Sequence, residues 1–196
     1  MLLGGGNWVA RLALVAIAAA TGIVLAPRLK TGIAVHDLRH PAIVALLVPA
    51  CVAVFLTFVD AVLFRAILPH TYVASIEDTS TLQRIAYYLM RGFNEEILYR
   101  LFLGTVFACV LGKIWRGGIS IMAAMVLAQT VNAVVGFWWV SDEPLTPFVI
   151  AYGVLRIVVP GTIWGYLYWR HGLLTSLTAH LTSHVFLQPM LTWSIG

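Results

Sequence analysis

The sequence predicts an all-α, polytopic membrane protein, a bundle of about six transmembrane helices. Three observations carry this expectation: of 196 residues, 61% are hydrophobic and only 10% are charged, and the mean hydropathy is +0.92. Soluble domains carry about 25% charged residues because a water-facing surface needs them. Twelve Lys and Arg with eight Asp and Glu are too few to cover one, and the same composition excludes intrinsic disorder. No internal repeat, low-complexity tract or linker divides the chain, so residues 1–196 are expected to form a single integral membrane domain.

A hydrocarbon core about 30 Å thick needs roughly 20 apolar residues per helix. Runs of that kind extend from Trp8 to Leu25, about Pro41 to Leu68, Leu82 to Leu111, Ile119 to Val140, Phe148 to Trp169 and Leu173 to Ile195. In the first run Ala18, Ala19 and Ala20 imitate the small-residue cleavage site of a secretory signal. Only Arg11 supplies a positive charge there, however, and Arg28 with Lys30 follows as it would after a retained span. The second run carries Asp60 and the fifth Arg156, expected to be an interhelical pair or water-facing groups. Around Pro160, Gly161, Gly165 and Gly172 predict a close helix approach or a local break, and the seven Trp suit interfacial anchors and lipid contacts.

Loop charge alternates. Arg28, Lys30 and Arg39 follow the first run, Lys113 and Arg116 the third and Arg170 the fifth, whereas Glu77 with Asp78 and Asp142 with Glu143 lie in the intervening loops. The positive-inside rule then places the basic loops in the cytoplasm and both termini outside it. A re-entrant segment between Tyr72 and Met90 would upset that count. The net charge of +4 does not point to nucleic acid, because the basic residues are scattered singly between apolar runs. Cys51 and Cys109 lie inside apolar stretches and read as small buried hydrophobes, neither a disulfide nor a metal pair.

Ionisable residues inside spans are costly and mark function by default. The third run contains Asn94-Glu95-Glu96-Ile97-Leu98-Tyr99-Arg100. Each charge near a helix centre costs about 2.5 to 3.5 kcal/mol, whereas each Leu, Ile, Val or Phe returns about 0.3 to 0.6, so these charges must face protein and be paired. At about 100° per residue Glu96 and Arg100 share a face in the order that suits an ion pair, while Glu95 points away from Arg100 and aligns with Tyr99. Glu96 therefore reads as structural and Glu95 as an available carboxylate, a candidate general acid or base. A buried ion-pair network that locks helices together explains the same residues equally well.

The sixth run carries His180 and His184 four residues apart, which places both imidazoles on one face. Each alone is better explained as an interhelical hydrogen-bonding group, whereas two on one face, in a chain that also carries Glu95, favour a functional site. The fourth run offers Gln129, Thr130 and Asn132, and an Asn carboxamide either donates to an oxyanion or glues two helices.

Together these residues resemble the CAAX protease and bacteriocin-processing family of glutamic-type intramembrane endopeptidases. Its first motif, Glu-Glu-x-x-x-Arg, is matched by Glu95, Glu96 and Arg100, with Tyr99 where an aromatic is usual. Its third, His-x-x-x-Asn after a Gly-rich helix and an Arg-x-Gly turn, is matched by Gly161, Gly165, Tyr168, Arg170, Gly172 and His180, but His184 stands where Asn is usual. In its second motif, Phe-x-x-x-His, Ala128 takes the Phe position and Asn132 the His position. The family-like core spans about residues 92–185.

The resemblance implies an enzyme that hydrolyses a peptide bond of a membrane-associated or exported substrate, with the lipid bilayer as its other partner. It implies no cofactor, no metal and no nucleic acid. By that analogy Glu95 activates a water and His184 supplies the imidazole missing at position 132. Asn132 with His180 stabilises the tetrahedral oxyanion, and Glu96 with Arg100 holds the helix. The family's substrates include prenylated proteins, bacteriocins and exported or surface-anchored proteins, and no residue chooses among them. Glu95 and Asn132 fall in the extracytoplasmic halves of their runs, which favours an exported substrate. Compact size and the lack of a eukaryotic targeting signal suggest a prokaryotic plasma membrane.

Two other readings use the same residues. His180, His184 and Glu95 compose the two-His, one-carboxylate set of a catalytic zinc hydrolase, although no His-Glu-x-x-His occurs. A membrane scaffold, immunity protein or small transporter would use Asp60, Arg156 and the carboxylates as a packing network or an ion path.

Overall fold

The computed structural model describes residues 8–29, 43–115, 117–138 and 146–196, and all its regular elements are helical. Seven helices follow one another: α1 (Trp8–Leu25), α2 (Ile43–Leu63), α3 (His70–Glu77), α4 (residues 81–111), α5 (Gly118–Trp138), α6 (Pro147–His171) and α7 (Leu173–Ile195). Six of them coincide with the six apolar runs, and α3 is a short additional helix where a re-entrant segment was conceivable. Four, within α1, α2, α5 and α6, are long and apolar enough to cross a membrane by length and composition alone. The other two, α4 and α7, carry Glu95, Glu96, Arg100, His180 and His184. The chain is an all-α polytopic membrane protein. The expected start of the second run at Pro41, the loop residues Lys30, Arg39, Arg116, Asp142 and Glu143, and the end of the fourth run at Val140 lie outside the described residues.

Local sequence fixes the ends. Ser80 accepts from the backbone N–H of Gln83 at 3.3 Å while the Gln83 side chain accepts from the N–H of Ser80, a reciprocal cap that starts α4 at Thr81. Thr146 caps α6 through the N–H of Val149, with Pro147 where a missing donor costs nothing. α6 and α7 are separated by Gly172 alone, at φ +89°, a backbone state that side chains disfavour. Phe64 leaves helical geometry at φ −124°, so α2 ends at Leu63, five residues before the expected limit at Leu68.

Two apolar clusters hold the bundle. Val52, Ala53 and Leu56 of α2 pack with Ala179, Leu187 and Leu191 of α7, and Trp164 and Leu167 of α6 join them. Leu101 and Ala108 of α4 pack with Ile121, Ala124 and Met125 of α5 and Tyr168 of α6. The outer surface is equally apolar: Val24, Leu82, Ile119 and Trp193 are among many large hydrophobic side chains that no protein covers. Soluble monomers rarely expose apolar area on this scale; here it is the surface that faces lipid.

Small residues set the helix spacing. A Cβ at Gly165 would stand 2.8 Å from Met125 Cβ, and one at Gly161 would overlap the Gln129 side chain, so α5 and α6 touch where glycines allow it. A Cβ at Gly22 would overlap the Leu101 carbonyl oxygen, which is backbone and has no rotamer to yield. Gly22→Ala is therefore expected to push α1 off α4 and to destabilise the protein by about 1 to 3 kcal/mol, the usual cost of overpacking. Thermal unfolding in detergent checks this, with Ile23→Ala on the exposed face as the control that changes little.

Candidate active site

α7 presents a ladder of polar groups at every fourth position, Ser176, His180, His184 and Gln188, all buried. A repeat of four keeps them on one face, and Ala179, Leu187 and Leu191 beside them bring that face into the bundle. Facing it on α4, the backbone runs through a stretch of wide, i→i+5 turns from Glu96 to Gly104. Similar stretches contain Asp60, at Val59–Leu63, and Arg156, at Val154–Val158, whereas a fourth, Ile43–Leu47, holds no charge. Wide turns recur at functional positions because they re-aim side chains without breaking the helix.

Glu96 is 1% exposed and its oxygens are met from α7. His180 Nδ1 stands 2.9 Å from Oε1, where an N–H donates to the carboxylate. The Ser176 hydroxyl lies 2.7 Å from Oε2 and 2.8 Å from the Trp164 carbonyl oxygen, bringing α6 into the same junction. Arg100 approaches Oε1 with Nε at 3.5 Å, close enough for an ion pair but without a hydrogen bond, and its Nε and Nη1 are buried without hydrogen-bond partners. The expected pairing of Glu96 with Arg100 is thus present as charge proximity, while the hydrogen bonds go to His180 and Ser176. Glu96 and Arg100 both lie in the stretch of wide turns, whose geometry departs from the 3.6-residue helix assumed for that pairing.

Glu95 also differs from expectation. It has a dedicated cation, Arg91, one turn earlier, whose Nε stands 2.7 Å from Glu95 Oε1. Arg91 was legible as a partner at the same four-residue spacing.

The rings of the site form a column. Tyr88 stacks on His184 with centroids 5.0 Å apart and planes 18° apart, His184 lies 5.2 Å from His180, and His180 stacks on Trp164 at 5.6 Å and 16°. Nδ1 of His180 is committed to Glu96, which leaves Nε2 as its second nitrogen, and His184 Nδ1 is buried without a hydrogen-bond partner. Asn132, on α5, is buried, and its carboxamide donates to Gln129 Oε1 at 3.4 Å.

These groups surround one cavity of about 170 Å³. Glu95, Arg100, Asn132, His180 and His184 line it, with Arg91, Tyr88 and Trp164; Glu96 stands behind the wall, in contact with His180. At 1.5 Å per residue Glu95 lies about 21 Å from the start of α4 and His180 about 22 Å from the end of α7, so the antiparallel helices bring them to one depth. Among the described residues no three His, Cys, Asp or Glu side chains are placed to hold a metal ion, and His180, His184 and Glu95 form no such group.

A second polar cluster borders the same cavity. Asp60 of α2, fully buried, pairs with Arg156 of α6 at 3.0 Å. Tyr72 of α3 donates to Asp60 Oδ2 at 2.8 Å and accepts from Arg156 Nη2 at 3.2 Å, and Tyr152 donates to Oδ1 at 3.2 Å. Of the two expectations for Asp60 and Arg156, the structure shows the interhelical pair. Arg84 fastens the other end of α3 by donating to the carbonyls of Ile76 and Thr79 and to Thr192 of α7.

Fold and site together define a polytopic α-helical membrane protein with an ionisable chamber inside its bundle. The family model described as type II CAAX prenyl endopeptidase Rce1-like matches residues 77–186, more than half of the chain, and the chain belongs to this family of membrane proteases. Comparison with curated proteins and with solved structures gives no match.

Removing one member of a buried ion pair strands the other, at a cost of about 3 to 5 kcal/mol. Asp60→Ala is expected to destabilise by that amount and Arg156→Met similarly. The double variant is expected to cost less than the sum by at least about 1 kcal/mol, measured as a double-mutant cycle of unfolding in detergent.

Proposed function

We propose that the protein is a glutamic-type intramembrane endopeptidase in which Glu95 is the general base. The observation that supports this reading is that Glu95, Asn132, His180 and His184 line one cavity inside an otherwise apolar bundle. A water held there loses a proton to Glu95 as its oxygen attacks the scissile carbonyl, and the His184 imidazole hydrogen-bonds the same water. The carbonyl oxygen becomes an oxyanion, stabilised by the Asn132 carboxamide and by Nε2–H of His180 in its doubly protonated form, whose Nδ1–H donates to the Glu96 carboxylate. Glu96, itself held by the Ser176 hydroxyl, fixes the plane of the His180 ring. Tyr88 and Trp164 close the ring column at either end, and the protein thereby holds its donors in place before the charge develops.

On this reading Asn132 and His184 have exchanged the places that Asn and His take in related motifs. The exchange retains both groups because both side chains border the same cavity. The substrate is a membrane-associated peptide, which must unwind locally for its carbonyl to reach the water. The family description makes peptides with a prenylated cysteine near the C-terminus the first candidates.

In vesicles, cleavage of internally quenched S-farnesyl peptides is expected to fall by about 10² to 10⁴ in Glu95→Gln and by about 10² to 10³ in Asn132→Ala. Both variants should retain the wild-type melting temperature within a few degrees. Full turnover by Glu95→Gln would remove the assigned base.

A further inference from the structure

The proposed base is not free. Glu95 Oε1 accepts from Arg91 Nε at 2.7 Å, so one of its two oxygens is occupied and the adjacent guanidinium charge opposes its taking a proton from water. Arg91 is the more accessible member of the pair: its side chain is 43% exposed, against 18% for Glu95, and its guanidinium lies 6.0 Å from the Tyr88 ring. The pair gives way only where Arg91 finds another partner of the same charge as Glu95. That partner must be an anion, because an unpaired guanidinium beside a chamber of low dielectric is costly.

The cavity wall is built to attract one. Three guanidinium groups, Arg91, Arg100 and Arg156, border it against a single carboxylate, Glu95. The acids that balance the other two, Glu96 and Asp60, are 1% and 0% exposed and stand behind the lining. Arg100 and Arg156 are thus tied to buried partners, and Arg91 is the cation whose partner lies on the reaction path.

We propose that Arg91 determines specificity: a carboxylate carried by the peptide substrate replaces Glu95 on Arg91 and so frees Glu95 to take the proton of the attacking water. The carboxylate comes from an acidic side chain next to the scissile bond or from the peptide's own C-terminus. In either case a neutral peptide leaves Glu95 engaged and is cleaved slowly. The inference rests on the assignment of Glu95 as the base.

The test uses the purified protein in phosphatidylcholine vesicles and quenched S-farnesyl peptides in matched pairs, free acid against C-terminal amide and Asp against Asn beside the scissile bond. Wild type is expected to prefer one carboxylate form at least tenfold in kcat/KM, and the pair that shows the preference identifies the source. Arg91→Gln should reduce the ratio to within twofold, chiefly by accelerating the neutral peptide, while Arg91→Lys retains most of it. An unchanged ratio in Arg91→Gln overturns the inference, as does the absence of either preference in wild type. Equal slowing of all peptides by Arg91→Gln at an unchanged melting temperature also overturns it, since that is the behaviour of a merely structural pair. Glu95→Gln separates the two levels: if it is inactive while Arg91→Gln keeps the wild-type ratio, this inference falls alone, and if it is active the base assignment falls with it.

Discussion

The burial of Glu96 is the constraint on which the rest of the structure depends. A carboxylate in the middle of an apolar bundle has no water to solvate it, and insertion of each such charge costs about 2.5 to 3.5 kcal/mol. The protein meets that demand from three helices. α7 brings His180 and Ser176, α6 brings the Trp164 carbonyl that shares the Ser176 hydroxyl, and Arg100 supplies positive charge from α4 itself. Those contacts require α4, α6 and α7 to meet at one depth, and the glycines at 161 and 165 let α5 close against α6 there. The chamber is what remains between helices positioned by that junction.

The same constraint acts at Asp60. Its oxygens are met by Arg156, Tyr72 and Tyr152, from α6 and α3, and this fixes α3 at the edge of the chamber. Arg84 grips the opposite end of α3 and ties it to α7. A short helix that could not span a bilayer is thereby made a wall of the cavity, with Tyr72 among its lining residues. Buried charge, elsewhere a liability, here specifies which helices touch and in what register.

Much of this was legible in the sequence, for physical reasons that also mark where legibility ends. Apolar run length gave the six long helices because bilayer thickness sets it, and α7 spans the expected limits of Leu173 and Ile195. The four-residue spacing of His180 and His184 indicated a shared face, and extending the same spacing would have reached Ser176 and Gln188 on α7 and Arg91 on α4. Glu96 and Arg100 share a face at 3.6 residues per turn, and the wide turns from Glu96 to Gly104 depart from that spacing, which the sequence does not signal. Tyr88 and Trp164 carry no such signal: an aromatic residue in a membrane helix has many roles, and only the crossing of α4, α6 and α7 makes these two the ends of the imidazole column.

The departures from the family motifs at 132 and 184 also take on physical sense within this chamber. A motif read along one helix treats His and Asn as fixed to their positions, but chemistry depends on which groups reach the reacting atoms. Asn132 on α5 and His184 on α7 border the same cavity, and on the proposed reading the imidazole on one wall and the carboxamide on another preserve the inventory of donors and acceptors. Such a move changes the packing each group requires. At position 184 the imidazole gains Tyr88 as a stacking partner and His180 as a neighbour, and at position 132 the carboxamide gains Gln129. Each of these two residues has a local partner that orients it, which is what the proposed exchange requires.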